Sequence, residues 1–476
     1  MSTTAKVSAR ERINTLLDDR SFVEIGARIT ARSTDFNLNK KDAPSDGVIT
    51  GYGVINDNLV YVYSQDASVL NGTIGEMHAK KICDIYDMAM KMGAPVIGMI
   101  DCAGIRLEES TDALAALGMI YQKQAMASGV IPQITAVFGQ CGGGLAVLSS
   151  LSDFTFMEAK DAKLFVNSPN AIAGNTDSKC DTASTAYQAE AGNVDFVGNE
   201  LEIFEEIRML VSVIPASNED DQSYDECTDD LNRACADLGN CAEDTSIALA
   251  NISDNHFFME TKKEFAKEMV TGFIRLNGVT VGAVANRTKV YDDEMNVTDE
   301  FDAALSADGC QKAADFVQFC DAFNIPVLSL TNATGFVATA CSEKHVAKAA
   351  AKLVYAFADA TVPKVNLIVA DAFGSAYVVM NSKAIGADVT FAWPDARVGM
   401  MDPALAAKII CKDDAESLAK TTSDYAALQD SVDAAARRGY VDSIIDPIDT
   451  RKYVIGAFEM LFTKREDRPD KKHGTV

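Results

Sequence analysis

The residues best suited to chemistry in this sequence form a glycine cluster, in which Gly142, Gly143 and Gly144 follow one another. An apolar run typical of a buried strand precedes them at residues 130–137, and a small apolar run that can begin a helix follows. A strand that passes through glycine into a helix start directs backbone N–H groups into one small volume. Because glycine has no Cβ, another molecule can approach that backbone closely. Such N–H groups can stabilise a developing oxyanion, for example the enolate of a thioester.

Two other interpretations of the cluster are a tight strand–helix packing turn and a nucleotide-binding loop. A phosphate-binding P-loop ends in Gly-Lys-Ser/Thr, whereas Leu145 and Ala146 follow the glycines here. The dinucleotide pattern G-x-G-x-x-G is also missing from this stretch. The nucleotide interpretation is therefore disfavoured, and this stretch alone leaves both the packing turn and the oxyanion site open.

The composition is that of a globular protein with 476 residues, enough for two or three domains with large cores. Its 43 basic and 69 acidic side chains give a net charge of −26, which argues against a nucleic-acid partner. No apolar run reaches the roughly 20 residues that span a bilayer. Eleven cysteines without a C-x-x-C motif favour reduced thiols in a cytoplasmic protein. Only four histidines are present, so we expect no metal site.

The order of the sequence patterns predicts an α/β fold, in which helices cover a sheet. Ser8 is a suitable N-cap for the amphipathic helix that follows it, and residues 46–63 alternate around a polar turn as a hairpin does. The next predicted elements are a helix at residues 75–92, a strand at 94–100, a helix at 112–128 and a strand at 131–138.

The second half of the chain repeats this pattern, which predicts a tandem duplication. Pro95 and Pro326 precede equivalent predicted strands, and the interval between them equals the interval between Pro132 and Pro363. The repeated elements are a hairpin at residues 270–284, a helix at 309–323, a strand at 325–330, a helix at 343–359 and a strand at 362–369. We place the domains at residues 1–235 and 236–476, and we interpret the acidic segment 216–239 as a solvated linker.

Each half therefore offers one turn with exposed N–H groups, at Gly143 and Gly144 in the first half and at Ser375 and Ala376 in the second. Two oxyanion sites suit a reaction in which a group passes between two substrates whose oxygens both gain charge. Ser149, Ser150 and Cys141 lie beside the first loop, but no histidine is near them in sequence to activate a nucleophile. Electrostatic catalysis is thus favoured over a covalent nucleophile, although a distant histidine could fold back.

With these loops in place, an ordered set of short motifs resembles the carboxyltransferase subunit of biotin-dependent acyl-CoA carboxylases and decarboxylases, the family of propionyl-CoA carboxylase β and methylmalonyl-CoA decarboxylase α. The first half contributes SARERI at residues 8–13, NGTIGEMHA at 71–79, DCAGIRLEE at 101–109 and GQCGGG at 139–144. The second half contributes FCDAFNIP at 319–326, ADATVPK at 358–364, RRGYVD at 437–442, TKREDRP at 463–469 and KKHG at 471–474. Each motif is weak alone, but their order over nearly the whole chain is specific.

The resemblance implies an α/β fold built as a tandem duplication of crotonase-like (ClpP/crotonase) ββα superhelix domains. It implies that acyl-CoA lies on the first domain and biotin on the second, and that the protein is a homo-hexamer, a trimer of dimers. Biotin would be attached to a separate biotin carboxyl carrier protein, because the triplet Met90-Lys91-Met92 falls in a predicted helix rather than an exposed hairpin. The other implied partner is a biotin carboxylase or a membrane decarboxylase subunit, which would place the protein in the cytoplasm or at the edge of a membrane complex.

Carried over by position, the resemblance implies that Gly143 and Gly144 hold the thioester enolate and that Ser375 and Ala376 hold the ureido oxygen of biotin. No side-chain base is required in the implied mechanism, which agrees with the scarcity of histidine. The implied substrate-binding residues are Gly72, Gly104, Arg106, Gly142, Gly335, Phe336, Gly374, Tyr377 and Val378.

Several of these positions depart from the family pattern or keep a second interpretation. Ala103 and Ser375 stand where relatives usually have glycine, and Val378 stands where some relatives carry an acidic residue linked to acyl-chain choice. Arg106 either contacts a CoA phosphate or pairs with Glu108 or Glu109. Phe336 and Tyr377 either line the biotin pocket or belong to the core.

The sequence thus predicts a carboxyltransferase that moves a carboxyl group between carrier-bound biotin and the α-carbon of a short acyl-CoA. The acyl pair would be propionyl-CoA and methylmalonyl-CoA, or acetyl-CoA and malonyl-CoA. Two alternatives remain: a crotonase-type hydratase or hydrolase, for which Glu158 is the nearest carboxylate past the first loop, and a non-catalytic scaffold that binds CoA or a carrier protein.

Overall fold

The computed structural model describes residues 7–32, 43–175, 179–220, 224–292, 294–411, 415–466 and 468. Within it the chain divides into two compact units, Met1–Ser223 and Tyr224–Val476. This division falls inside the acidic segment at residues 216–239, slightly earlier than the boundary that we placed after residue 235. The tail motif at residues 471–474 and the middle of the acidic segment, at 221–223, lie outside the described residues.

The later part of the acidic segment is folded, so the prediction of a solvated linker is wrong there. Tyr224 forms an isolated bridge with Val279, and Asp225 pairs with Arg275 of the same unit. Farther along, Cys235 and the neighbouring Leu238 are each 1% exposed in the core of the second unit. The sequence pattern misled because the acidic residues are neutralised by arginines that lie far away in the chain.

The first unit is an eight-stranded sheet flanked by helices. Its strands are β1 (Val23–Ile25), β2 (Val48–Ile55), β3 (Asn58–Gln65), β4 (Val96–Cys102), β5 (Gln133–Gly142), β6 (Phe154–Glu158), β7 (Lys163–Phe165) and β8 (Phe196–Gly198). Its helices are α1 (Ala9–Leu16), α2 (Glu76–Met92), α3 (Ser110–Ala127), α4 (Gly144–Ser150), α5 (Thr185–Glu190) and α6 (Glu200–Val213).

Local sequence signals set the start of the first helix and the turn of the first hairpin, as predicted. Ser8 caps α1 in a capping box with Glu11. Strands β2 and β3 form the predicted hairpin, and Asn56 and Asp57 take positive φ values of 47° and 66° in its two-residue turn. Such values match the type I′ turn that follows the twist of a hairpin. The Met90-Lys91-Met92 triplet lies at the end of α2, as expected.

The sheet runs in the order β1-β2-β3-β4-β5-β6-β8, and β7 pairs with the end of β5. The first three strands are antiparallel neighbours, whereas β3, β4, β5, β6 and β8 are parallel. Strand β5 is longer than predicted, since it continues through Gly139 to Gly142. At Gly139 a Cβ would lie 2.0 Å from Oδ1 of Asp101, so the close approach of that carboxylate requires glycine.

The second unit is also an eight-stranded sheet with helices, and two small two-stranded sheets accompany it. Its strands are β9 (Phe258–Thr261), β10 (Met269–Leu276), β11 (Val279–Asn286), β12 (Lys289–Tyr291), β13 (Val297–Glu300), β14 (Ala304–Leu305), β15 (Val327–Ala333), β16 (Gly335–Phe336), β17 (Lys364–Phe373), β18 (Val389–Ala392), β19 (Arg397–Gly399) and β20 (Ser443–Ile444). Its helices are α7 (Thr245–Ile252), α8 (Ala307–Ala322), α9 (Val346–Asp359), α10 (Gly374–Val379), α11 (Pro403–Cys411), α12 (Ala415–Tyr425), α13 (Val432–Arg437) and α14 (Thr450–Leu461), with a π-turn at Ala426–Asp430.

The two sheets have the same strand order and the same directions, which confirms the duplication. The large sheet of the second unit runs β9-β10-β11-β15-β17-β18-β20, and β19 pairs with the end of β17. Cα partners Ile97 and Ile134 in the first unit correspond to Leu328 and Val365 in the second, at the interval that separates the repeated prolines. In both units the pairing of the two central strands then becomes irregular, between Ile100 and Cys102 in the first and at the equivalent place, between Thr331 and Ala333, in the second.

A buried lysine is repeated with the same spacing. Lys81 in α2 and Lys312 in α8 are each 2% exposed, and both ammonium groups donate to main-chain carbonyls. Burial lowers the pKa of Lys81 to about 8 and that of Lys312 to about 7. Each lysine thus ties its helix to loop carbonyls inside its own unit. Among the described residues, no helix is long and apolar enough to cross a membrane.

Candidate functional site

The first candidate site is built where the parallel strands β4 and β5 end. Cys102 of β4 pairs with Cys141 of β5, just after the irregularity in the ladder. The chain leaves β4 toward Gly104 and leaves β5 toward Gly143, so both predicted glycine segments start from neighbouring positions. Carboxyl ends of adjacent parallel strands are common places for ligand sites in α/β sheets.

The glycine turn after β5 has a donor pair that is displaced by one position from the predicted pair. Gly143 has φ 64° and ψ −125°, and it directly precedes α4. Its N–H donates to the carbonyl of Phe165 in β7 at 2.8 Å, so Gly143 is not an available oxyanion donor. Among the described residues, none accepts from the N–H groups of Gly144 and Leu145. The first turn of a helix leaves such N–H groups without an intrahelical partner.

On both sides of Gly143, the space at Gly142 and Gly144 is too small for a side chain. A Cβ on Gly144 would lie 2.7 Å from Leu117 and 2.8 Å from the hydroxyl of Tyr121, and one on Gly142 would lie 2.6 Å from the ring of Phe165. The Tyr121 hydroxyl donates to the Gly144 carbonyl at 2.5 Å. The glycines therefore let the backbone of α4 lie against α3, while the N–H side of the turn meets no acceptor in the described part of the chain.

The second unit repeats this turn after β17. Gly374 has φ 60° and corresponds to Gly143 at the interval of the repeated prolines. The N–H groups of Ser375 and Ala376 likewise meet no acceptor among the described residues. Ser375 and Ala376 are therefore equivalent to Gly144 and Leu145, and the sequence-based pairing of Gly143 with Ser375 is out of register by one position.

The predicted glycines Gly72 and Gly104 come together on one wall of the first site. The carbonyl of Gly104 accepts from the N–H of Ile74 at 3.0 Å, and the carbonyl of Asn71 accepts from the N–H of Ala103 at 3.1 Å. Gly72 has φ 65°, and a Cβ there would lie 2.5 Å from the carbonyl of Asp101. This backbone pairing holds the segment before α2 against the segment after β4.

Arg106 is buried at 1% exposure, so its predicted contact with CoA is not what this geometry supports. Its Nη1 donates to Asp46 at 2.6 Å and to Glu109 at 2.8 Å, and its Nη2 donates to the carbonyl of Thr73 at 2.7 Å. Of the two interpretations left open, the salt bridge to Glu109 is therefore favoured, with Asp46 as a partner that the sequence did not indicate. Arg106 therefore supports the wall of the first site from inside the unit.

The second site has a cavity beside its donor turn. Ala333 of β15 pairs with Ala372 of β17, and Gly335 and Phe336 follow as β16, where Phe336 is half-buried. The cavity has a volume of about 330 Å³ and lies along α10. Residues on its walls include Tyr377, Val378, Gly399, Gln429, Arg438 and Tyr440.

The two interpretations of Tyr377 both describe part of its environment. Tyr377 packs on the small apolar cluster that contains Val398 and Ala435, and it also lines the cavity. Burial raises the pKa of its hydroxyl to about 12, with Tyr440 adding to the effect, so the group is a neutral phenol at physiological pH. Val378 is on the exposed side of α10.

Sequence reasoning missed a buried carboxylate behind this cavity. Asp430, at the end of the π-turn, is 1% exposed, and neither oxygen has a hydrogen-bond partner among the described residues. Burial raises its pKa to about 6, Arg397 opposes this effect, and Asp402 adds to it. The carboxylate packs on Gly399, where a Cβ would lie 1.9 Å from Oδ1. No motif marks Asp430, because the pocket around it forms only when distant segments meet.

The side chains near the first turn that could act as a nucleophile or a base are buried or already hydrogen-bonded. Cys141 is fully buried, which raises the pKa of its thiol, and the hydroxyl of Ser150 donates to the carbonyl of Ala146 at 2.9 Å. His78 is also buried, and its pKa falls to about 3 because of that burial. In the part of the chain that the structure describes, no group of three or more His, Cys, Asp or Glu side chains could hold a metal ion.

Comparisons with known proteins find relatives over the whole chain. The family model for the carboxyl transferase domain matches residues 3–476. The chain is 38% identical over 491 residues to methylmalonyl-CoA decarboxylase subunit alpha of Propionigenium modestum, covering 99% of this chain and 93% of that protein. It is 40% identical over 487 residues to the propionyl-CoA carboxylase beta chain of Roseobacter denitrificans, covering 99% and 94%.

A solved structure matches the fold over the same length. The crystal structure of transcarboxylase 12S, described as a hexamer with hydrolysed methylmalonyl-coenzyme A bound, has a TM-score of 0.92 and 33% identity to this chain. The match covers 99% of this chain and 92% of the transcarboxylase chain. These comparisons confirm the resemblance and the tandem crotonase-like fold that the sequence predicted.

We expect the variant Arg106→Met to lose stability, because Asp46 and Glu109 would remain buried without their cation. The expected loss in the free energy of unfolding is about 3–5 kcal/mol, the usual cost of breaking a buried ion pair, and urea titration measures it. The matched control is Arg32→Met, whose side chain is 42% exposed and pairs with Glu76 and Asp112. Its expected loss is about 1 kcal/mol or less. Equal losses in the two variants would contradict the structural role of Arg106.

We expect Asp430→Asn to stabilise the protein at pH 8 but not at pH 4. The folded protein holds the proton of Asp430 up to about pH 6, whereas the unfolded chain releases it near pH 3.8. Asp430 therefore contributes to the free energy of unfolding below pH 3.8, and this contribution is lost as the pH rises to 6. The expected gain in melting temperature at pH 8 is about 2–4 °C, corresponding to roughly 1 kcal/mol. The exposed Asp433→Asn is the control, and a gain independent of pH would contradict this account.

Proposed function

Because this chain belongs to the carboxyl transferase domain family, we propose that it moves a carboxyl group between carrier-bound biotin and the α-carbon of a short acyl-CoA. The observation that carries this proposal is the repetition of one structure in both units: a left-handed glycine followed by two N–H groups that meet no acceptor among the described residues. A transfer between two acceptors needs two such places, since an oxygen gains charge on each acceptor.

In the first unit the N–H groups of Gly144 and Leu145 would hold the thioester oxygen. When the bond between the α-carbon and the carboxyl carbon breaks, its electron pair moves into the thioester and the oxygen becomes an enolate oxyanion. Fixed N–H dipoles stabilise that charge without reorganising, and removal of one such donor typically costs 10²–10³-fold in rate. Biotin would supply the nitrogen that accepts the carboxyl group and the proton that the α-carbon takes up.

In the second unit the N–H groups of Ser375 and Ala376 would hold the ureido oxygen of biotin. When bound, biotin supplies the ring nitrogen that carries the carboxyl group. The residues here suit such a ring, because these two N–H donors lie at one end of α10 and the cavity of about 330 Å³ adjoins the same helix. Val398 and Tyr377 give the cavity apolar and aromatic walls.

The arrangement argues against the hydratase or hydrolase alternative. Such an enzyme needs a carboxylate placed over the α- and β-carbons of its substrate, and Glu158 was the nearest candidate. One oxygen of Glu158 accepts from the backbone N–H groups of Lys160 and Asp161, at 2.9 and 2.6 Å. Glu158 is also only 9% exposed. This carboxylate therefore closes its own turn and is not directed to a substrate.

The names of relatives support the choice of substrates and partners that we propose. The methylmalonyl-CoA decarboxylase and propionyl-CoA carboxylase relatives suggest propionyl-CoA and methylmalonyl-CoA, and acetyl-CoA and malonyl-CoA are the shorter pair. Biotin would arrive on a biotin carboxyl carrier protein, and a biotin carboxylase or a membrane decarboxylase subunit would complete the system. We propose a homo-hexamer, a trimer of dimers, by analogy with the hexamer described for transcarboxylase 12S.

The direct test is transfer from a carboxylated thioester to free biotin. We expect the purified protein to convert methylmalonyl-CoA or malonyl-CoA to the decarboxylated thioester only when biotin is present. Chromatography of the thioesters measures this conversion. Preference between the two thioesters ranks the substrates. Turnover without biotin would contradict the proposal, and binding of CoA without any turnover would favour the scaffold alternative.

The role of backbone donors is tested by exchanging Ser375 for proline or alanine. Proline removes the N–H but is tolerated in the first turn of a helix, whereas Ser375→Ala keeps the N–H and removes only the side chain. We expect kcat for Ser375→Pro to fall about 10²–10³-fold, the usual effect of losing one oxyanion donor, and Ser375→Ala to stay within about threefold of the parent. Equal activity in both variants would exclude the N–H of residue 375 from catalysis.

A further inference from the structure

The cavity in the second unit contains a cation that no carboxylate of the described residues neutralises. Arg438 lies on its wall, and Nη2 of Arg438 donates to the carbonyl of Leu428 in the π-turn at 2.7 Å. Among the described residues, no carboxylate lies within ion-pair distance of Arg438. Arg438 is exposed, so a ligand can reach its guanidinium from solvent. One edge of the guanidinium is thus fixed by the π-turn, and its other N–H groups remain available.

Nearby carboxylates are withheld from this cation by other partners. Asp442, four residues along the chain, pairs with Lys383. Asp371 binds Arg397 through both oxygens, at 2.7 and 2.6 Å. The buried Asp430 packs on Gly399, and the cation that acts against the burial of its carboxylate is Arg397 rather than Arg438. The cavity is therefore a place where a carboxylate from outside the chain would find an available cation.

The other walls are neutral and continuous with the donor turn. Tyr377 and Val378 lie in α10, directly after the donors Ser375 and Ala376. The Tyr377 phenol keeps its proton at physiological pH, since burial raises its pKa to about 12. A ligand in this cavity would meet neutral walls and one guanidinium, and the helix that begins at the donor turn forms one of these walls. That pattern fits a flat group that carries a single carboxylate.

We propose that Arg438 is the residue that recognises the carboxylate in transfer, and that the cavity holds the group to which this carboxylate is attached. The inference rests on the proposed function, and it adds that Arg438 determines the specificity of the transfer. The carboxylate has two sources, the α-carbon of the acyl thioester and the ring nitrogen of biotin. Arginine suits either source, because its planar fork can hold both oxygens of one carboxylate.

The test compares Arg438→Gln and Arg438→Lys with the control Arg437→Gln. Arg437 and Arg438 are both exposed, but only Arg438 lines the cavity. We expect Arg438→Gln to lower kcat/KM for biotin-dependent decarboxylation of methylmalonyl-CoA about 10–100-fold, since hydrogen bonds to charged groups have this strength. Arg438→Lys should fall between Arg438→Gln and the parent, because it keeps the charge but loses the fork. Arg437→Gln should match the parent.

Calorimetry identifies the source of the carboxylate and checks folding. Propionyl-CoA, which lacks the carboxylate, should bind all three variants with the Kd of the parent. If the carboxylate is held on the acyl group, the Kd for methylmalonyl-CoA rises in Arg438→Gln. If it is held on the biotin ring, that Kd is unchanged and the loss appears in kcat. Both results uphold the inference.

Other outcomes separate this inference from the proposed function. Parent-like kinetics and affinities in Arg438→Gln would overturn the inference while the carboxyltransferase activity stands, and an equal loss in Arg437→Gln would do the same. If the parent transfers no carboxyl group, the proposed function fails. In that case the inference survives only if the parent binds methylmalonyl-CoA more tightly than propionyl-CoA and Arg438→Gln abolishes the difference.

Discussion

A left-handed glycine at the end of the central strand is the constraint on which both candidate sites depend. Gly143 and Gly374 have φ values of 64° and 60°, in a range that residues with a side chain rarely adopt. The turn allows a short helix to begin directly after the strand, so the next two N–H groups point away from their own chain. Close packing by Leu117 and Tyr121 on the other side of Gly144 keeps that backbone in place.

The chemistry implied by these turns is electrostatic, and the charges elsewhere in the protein fit that description. Arg106, Asp46 and Glu109 are buried near the first site and are paired with one another. In the second unit burial raises the pKa of Asp430 to about 6, which leaves its carboxylate ionised at pH 7. The donor turns themselves, at residues 143–145 and 374–376, carry no charged side chain. A net charge of −26 does not contradict the binding of anionic substrates, because binding depends on the local field rather than on the total charge.

Much of the fold could be predicted from the sequence, because its signals are local. Hairpin turns, the cap at Ser8 and the repeated prolines each act over a short stretch, and the equal intervals between the prolines revealed the duplication. The glycine cluster indicated the place of the first turn but not the use of its N–H groups, since Phe165 reaches Gly143 only after β7 has formed. Arg106 was ambiguous for the same reason: its partner Asp46 is 60 residues away. The pocket around Asp430 and Arg438 has no local signal, because separate segments build it.

The shared irregularity in strand pairing also bears on the history of the chain. It lies between Ile100 and Cys102 in one unit and between Thr331 and Ala333 in the other, at the same spacing as the rest of the repeat. A feature inherited by both copies is older than the duplication that produced them. The single-unit ancestor therefore already had this turn, and the two turns of this chain descend from that one. The two copies diverged afterwards at the turn itself, since Ser375 and Ala376 now stand where the first unit has Gly144 and Leu145.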